Sequence, residues 1–170
     1  MIRVGIIGCG KITERASLPN LVNYKFKCKI TCLCDIIKSR PESLANRFNL
    51  GEIDVIKDWR NLVRHNDVDA VFINTPNYLH ECMAVEAAAN RKHILVEKPI
   101  AISLKAANNM VKAAKRSGVL LMVEQTQRFD PVHQAADISP EADSRRSLRS
   151  HSRRACRQGG RCAHRLCCHR

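Results

Sequence analysis

Apolar residues in the first 124 positions fall into short runs separated by longer amphipathic stretches. Ile2-Arg3-Val4-Gly5-Ile6-Ile7 and Lys29 to Cys34 are near-continuous apolar runs. Asp69 to Asn74, His93 to Val96 and Val119 to Val123 repeat the pattern, and Asp54 to Ile56 is a weaker instance. Such runs suit strands of a parallel sheet buried on both faces. Between them lie helix signals. Ser39-Arg40-Pro41-Glu42 has the form of a capping box, followed by Leu44, Ala45 and Phe48 at helical spacing. Asn77 can cap a helix through about Asn90, with Leu79, Met83 and Ala87 on one stripe. Ser103 can cap another, with Leu104, Ala107, Val111 and Ala114 inward and Gly118 as the stop. The alternation predicts an α/β fold with a doubly wound sheet.

After Ala136 neither the period of 2 nor that of 3.6 continues. The composition changes at the same place. The net charge is +13; residues 1–136 hold 20 Lys and Arg against 13 acids, and residues 137–170 hold nine Arg, no Lys and three acids. A segment dominated by Arg, Ser, Cys, His and Gly cannot bury enough apolar surface to offset its ordering entropy, so 138–170 is expected to be a disordered tail. The abrupt change reads as translation out of frame or a gene junction. The expected organisation is a nucleotide-binding domain over 1–124, the start of a second domain over 125–137, and the tail. No run approaches the roughly 18–20 apolar residues of a membrane helix. Ile2 to Ile7 is too short for an export signal, so a cytoplasmic location with free thiols is expected.

Gly8-Cys9-Gly10-Lys11-Ile12-Thr13 follows the first strand directly. In a strand–turn–helix of this kind the first Gly permits the tight turn and the second lets a pyrophosphate approach the backbone. The third position, here Thr13, brings helix and strand together. The anion would rest on the helix N-terminus. Asp35 ends the second strand, 25 residues after Gly10, where a carboxylate can accept hydrogen bonds from the adenosine ribose. This order predicts a Rossmann-type cofactor site. Asp35 favours NAD by repelling a 2′-phosphate, while Lys38 and Arg40 could offset that repulsion and leave NADP open.

Three further motifs narrow the class: Thr75-Pro76-Asn77-Tyr78-Leu79-His80, Glu97-Lys98-Pro99, and Gln127-Arg128-Phe129-Asp130-Pro131. With the glycine turn, they resemble the N-terminal half of the glucose–fructose oxidoreductase / inositol dehydrogenase / rhizopine-catabolism (Gfo/Idh/MocA) family over about residues 1–136. The resemblance implies NAD(P)-dependent hydride transfer at a secondary alcohol of a sugar or cyclitol. It implies that Gly8, Gly10, Lys11, Ile12, Asp35, Arg40, Thr75, Pro76, Asn77, His80, Glu97, Lys98, Pro99 and Arg128 line or approach the cofactor, with Lys98 as the catalytic cation. A cation there would stabilise the alkoxide that develops as hydride leaves. The family's Asp and His of the second domain have no counterpart after Pro131, so a C-terminally truncated, inactive chain is expected.

Cys32 and Cys34, two apart on one strand, are read as sharing a face with Ile30 and acting as small hydrophobes. No metal site is expected. Cys156, Cys162, His164, Cys167, Cys168 and His169 fit no common zinc spacing. A non-catalytic dinucleotide-binding module with a basic, nucleic-acid-binding arm is the alternative; the tail lacks the aromatic residues that stack bases.

Overall fold

The computed structural model describes residues 1–137 and falls into two units, Met1–Gln125 and the residues from Thr126 onward. The expectations for the tail and its Cys/His set lie outside the described residues.

In the first unit six strands form one parallel sheet: β1 (Ile2–Ile7), β2 (Cys28–Cys34), β3 (Asp54–Ile56), β4 (Ala70–Ile73), β5 (His93–Glu97) and β6 (Leu121–Glu124). Their order is β3-β2-β1-β4-β5-β6, with every pair parallel. This is the doubly wound order, which reverses between β1 and β4 and opens a crevice at the carboxyl ends there. The helices are α1 (Leu18–Asn23), continuous with a π-helical stretch Thr13–Ser17, α2 (Ser39–Arg47), α3 (Trp59–Arg64), α4 (His80–Ala89) and α5 (Leu104–Ser117).

Two cores cover the two faces of the sheet. Val4, Ile6, Ile30 and Leu33 pack with Leu18 of α1 and Leu44 of α2. Ile7, Cys32, Cys34, Val71, Ile73 and Val96 pack with Leu62 of α3, Met83 and Ala87 of α4, and Met110 of α5. Gly5 lies where α3 comes closest, since a Cβ there would stand 2.8 Å from Leu62 Cδ2.

Several local expectations are corrected. Ile30 does not share a face with Cys32 and Cys34. Val4 pairs with Ile30 and Gly5 with Cys32, so Thr31 is an extra residue in β2 and the bulge reverses the alternation. Ser39 does not cap α2: Lys38 is already αR, leaving no extended residue to aim a capping side chain. Asn77 opens a 3₁₀ turn, Asn77–Leu79, without a side-chain cap, and α4 starts at His80. In α5 the inward stripe is Ala106, Met110, Ala113 and Ala114, while Leu104 is 85% exposed and Val111 37%. Met110 and Ala113 of that stripe share a core with Ala84, Ala87 and Ala88 of α4. The Ser103 cap, accepting from Ala106 N at 3.1 Å, and the left-handed Gly118 stop match the sequence reading.

The second unit contains a 3₁₀ turn, Thr126–Phe129, and α6 (Pro131–Asp137). The Asp130 carboxylate accepts the Val132 N–H at 2.8 Å and starts α6.

Candidate functional site

A cleft of about 280 Å³ opens at the carboxyl ends of β1, β2 and β4, lined among others by Gly8, Gly10, Asp35, Arg40, Thr75 and Pro76. Gly8 has φ +96°, and a Cβ on it would stand 2.6 Å from Asn74 O. Glycine is therefore required twice over, by conformation and by the approach of the β4 end. Gly10 is different. A Cβ on it would meet nothing within 4 Å, so its side of the turn is open space.

Thr13, at the third position, is fully buried. Its hydroxyl donates to Gly8 O and accepts from Asn74 Nδ2 at 3.0 Å, while Asn74 Nδ2 also donates to Ser17 Oγ at 2.8 Å. Threonine thus serves here as the hydrogen-bonded joint between glycine turn, helix and β4. Asn74 Oδ1 is buried and has no partner among the described residues.

Asp35 is buried at the end of β2. Its Oδ2 accepts the Cys9 N–H at 2.9 Å, and its Oδ1 accepts the Ile37 N–H at 2.9 Å. Arg40 Nη1 stands 3.5 Å from Oδ1 and half of its side chain is exposed. The carboxylate therefore fixes the glycine turn to β2 before any ligand arrives. Burial first, then Asp35 and Cys34, push the Cys9 thiol up to about 12. Burial, then Asp35, does the same to Cys34, also to about 12. Both remain protonated thiols that fill the base of the turn.

The other sequence-predicted residues fall into groups. Lys11 and Ile12 are exposed at the start of the helix after the turn. Thr75 donates to Met83 Sδ at 3.4 Å beside the cleft, and Asn77 is exposed in the 3₁₀ turn. Glu97 ends β5 opposite Glu124 of β6. Lys98 and Pro99, joined by a cis peptide bond, are exposed just beyond. Burial, then Glu97, pushes the Glu124 carboxyl up, and Lys98 pulls it back. His80 is 1% exposed, and its ring nitrogens face the backbone rather than the cleft: Nε2 is 2.9 Å from Thr75 O, and Nδ1 is 3.1 Å from Pro99 O. Arg128 belongs to the second unit, where its carbonyl accepts from Gln134 Nε2 at 3.2 Å. Sequence reasoning missed Asn74, Lys57 and Trp59, which also line the cleft. Asn74, directly before Thr75-Pro76, carried a positional signal; Trp59, in a short helix after β3, carried none.

Cys32 Sγ, Asp54 and His65 bring their ligating atoms within 4.8 Å of one another. His65 Nδ1 accepts the Asp67 N–H at 3.2 Å, so Nε2 carries the ring proton toward Asp54 Oδ2, 3.3 Å away. A ligating imidazole needs the opposite tautomer, donating from its outer nitrogen. The group is an Asp–His pair at ion-pair distance beside a buried thiol that burial pushes to about 11. Larger hollows, about 650 Å³ at the amino ends of β1 and β2 and about 510 Å³ between α4 and α5, are lined mainly by polar and charged side chains and contain no part of the glycine turn.

Known proteins resemble this chain over the same region. A family model, GFO_IDH_MocA, described as an oxidoreductase family with an NAD-binding Rossmann fold, matches residues 2–125. The chain is 36% identical over 132 residues to the 2,7-anhydro-N-acetylneuraminate hydratase of Escherichia coli (strain K12), covering 76% of this chain and 33% of that protein. It is 31% identical over 143 residues to the scyllo-inositol 2-dehydrogenase (NAD(+)) of Bacillus subtilis (strain 168), covering 84% of this chain and 40% of the relative. The crystal structure of KijD10, a 3-ketoreductase from Actinomadura kijaniata in complex with NADP and TDP-benzene, matches with a TM-score of 0.73 and 30% identity, over 79% of this chain and 40% of that one. The matched region spans between a third and two fifths of these relatives.

Proposed function

The chain belongs to the GFO_IDH_MocA oxidoreductase family with its NAD-binding Rossmann fold, and from that premise we propose that the cleft at Gly8 and Gly10 holds NAD(H) or NADP(H) for hydride transfer at a secondary alcohol of a sugar or cyclitol. The observation that carries the reading is the pair of glycines. Gly8 is required by the fold itself, whereas Gly10 leaves vacant the space that a pyrophosphate would occupy. The buried, unpartnered Asn74 Oδ1 beside it is a second sign that the polar set is complete only with a ligand.

Gly10, Lys11 and Ile12 would receive the pyrophosphate at the start of the helix, where backbone N–H groups lack intrahelical acceptors. Asp35 keeps lone pairs beyond the Cys9 and Ile37 amides and would accept from the ribose, with Arg40 partly neutralising it. The nicotinamide supplies hydride exchange when bound. Lys98 would hold a positive charge against the substrate oxygen as its proton leaves, and Glu97 would set the local charge beside it. The relatives whose names specify an alcohol or ketone act on scyllo-inositol and as a 3-ketoreductase, which supports a polyhydroxylated ring as substrate class. Five described cysteines are free, and that supports a reducing compartment, the cytoplasm. Among the described residues no helix is long and apolar enough to cross a membrane.

The test is calorimetric titration of NADH and NADPH into the chain and into Gly10→Val. Binding by the parent and none by the variant is expected; equal affinities would refute the assignment.

A further inference from the structure

His80 begins α4 yet is 1% exposed, and among the described residues every hydrogen-bond partner of its ring is a backbone carbonyl. Nε2 lies 2.9 Å from Thr75 O; Nδ1 lies 3.1 Å from Pro99 O and 3.2 Å from Ile100 O. Carbonyl oxygens only accept. A neutral imidazole has one N–H, so whichever nitrogen bears it, the other would present its lone pair to an oxygen lone pair at hydrogen-bond distance, away from water. The imidazolium alone donates on both edges.

The surroundings suit a cation held by dipoles. On its own helix, Glu81 is engaged by Asn109 Nδ2 at 2.8 Å and Cys82 donates to Leu79 O at 3.1 Å. Met83 faces Thr75 from the same helix. The charged side chains nearest in sequence to Pro99 and Ile100 are Glu97, the last residue of β5, and Lys98 just beyond it. Among the described residues no carboxylate hydrogen-bonds to the ring, and its three partners are all backbone carbonyls.

The three carbonyls come from two loops. Thr75 follows β4 and lines the cofactor cleft. Pro99 and Ile100 follow Lys98 directly beyond β5, and Ile100 packs against the core. We propose that His80 is a positioning residue: an imidazolium that fastens the Lys98 loop to the Thr75 loop and fixes where the Lys98 ammonium stands. The positioning half of this rests on the role assigned to Lys98 above.

The experiment is a long-range proton–nitrogen NMR spectrum of the ¹⁵N-labelled full chain at neutral pH, with and without NADH, compared with His80→Gln. Two protonated ring nitrogens on His80 are expected. Gln can donate toward one loop only, so His80→Gln should shift the amide signals of Lys98, Ile100 and Ala101 while those of β2 and β3 stay in place. One bare nitrogen on His80 would overturn the charge. Unmoved signals at Lys98 and Ile100 would overturn the positioning. If the variant does not fold, the parent ring spectrum still decides. Failure of NADH to bind would count against the cofactor site, not against the ring's two protons, which are read in the free protein.

Discussion

Gly8 and Gly10 stand two residues apart and should fail in different ways when a side chain is added. Gly8→Ala forces a Cβ to 2.6 Å from Asn74 O at φ +96°. It should cost about 1–3 kcal/mol of stability, checked by urea unfolding. A Cβ at Gly10 meets no neighbour, so Gly10→Val should leave stability within about 0.5 kcal/mol while removing cofactor binding. The motif spells both glycines alike in the sequence; only the position of Asn74 separates a folding requirement from a binding one. The sequence marks Asp35 as a candidate ribose acceptor but not as the clasp for the Cys9 and Ile37 amides, because those bonds depend on the turn after β2. Asp35→Ala should therefore narrow or reverse a preference for NAD over NADP and also destabilise by about 1–3 kcal/mol, since the buried Cys9 amide and the part-buried Ile37 amide lose their acceptor. Wild-type preference for NADP by tenfold, about 1.4 kcal/mol, would contradict the role given to Asp35.

At the scale of elements, the strands were legible because continuous apolar runs leave few alternatives, and all six lie where the runs predict, within two residues at each end. Faces were less legible. The Thr31 bulge lies within an unbroken β-rich run, and nothing in residues 28–34 marks the inserted position. The α5 stripe differs from the expected Leu104, Ala107, Val111 and Ala114: Ala106, Met110, Ala113 and Ala114 face inward. Two ion-bearing contacts across strands are open to test. Arg3 donates to both Asp69 oxygens, at 3.1 and 2.7 Å, and holds the start of β1 to the residue before β4. Hydrogen bonds from the Arg3 side chain and backbone hold the Asp69 carboxyl down at about 2. The folded state therefore favours the ionised form. Its contribution is full above the unfolded value of about 3.9 and is lost as pH falls toward 2. After allowance for its solvent-exposed setting it is about 1 kcal/mol or less. Thermal unfolding of Arg3→Ala should show a shallower loss of stability over that window than the parent. Glu97 and Glu124 oppose each other in register, and Glu124 Oε2 has no partner among the described residues. Glu124→Gln should stabilise the chain at neutral pH by about 1 kcal/mol or less; a fall in Tm would argue against repulsion there.

The molecule as a whole joins a regular α/β unit to a basic segment, and the chain spans between a third and two fifths of the relatives named above. In the proposed reading Lys98 would supply charge; the Asp and His that the family resemblance implies for the second domain have no counterpart among residues 132–170. Hydride transfer also needs a base for the hydroxyl proton. The central claim, that a dinucleotide occupies the glycine-turn cleft, has a built-in reporter, since the chain's one tryptophan, Trp59, lines that cleft. NADH titrated into the chain should quench Trp59 emission and excite the nicotinamide by energy transfer, saturably, and neither effect should occur in Gly10→Val. An unquenched Trp59 in the parent, or the same saturable quench in the variant, would contradict the account.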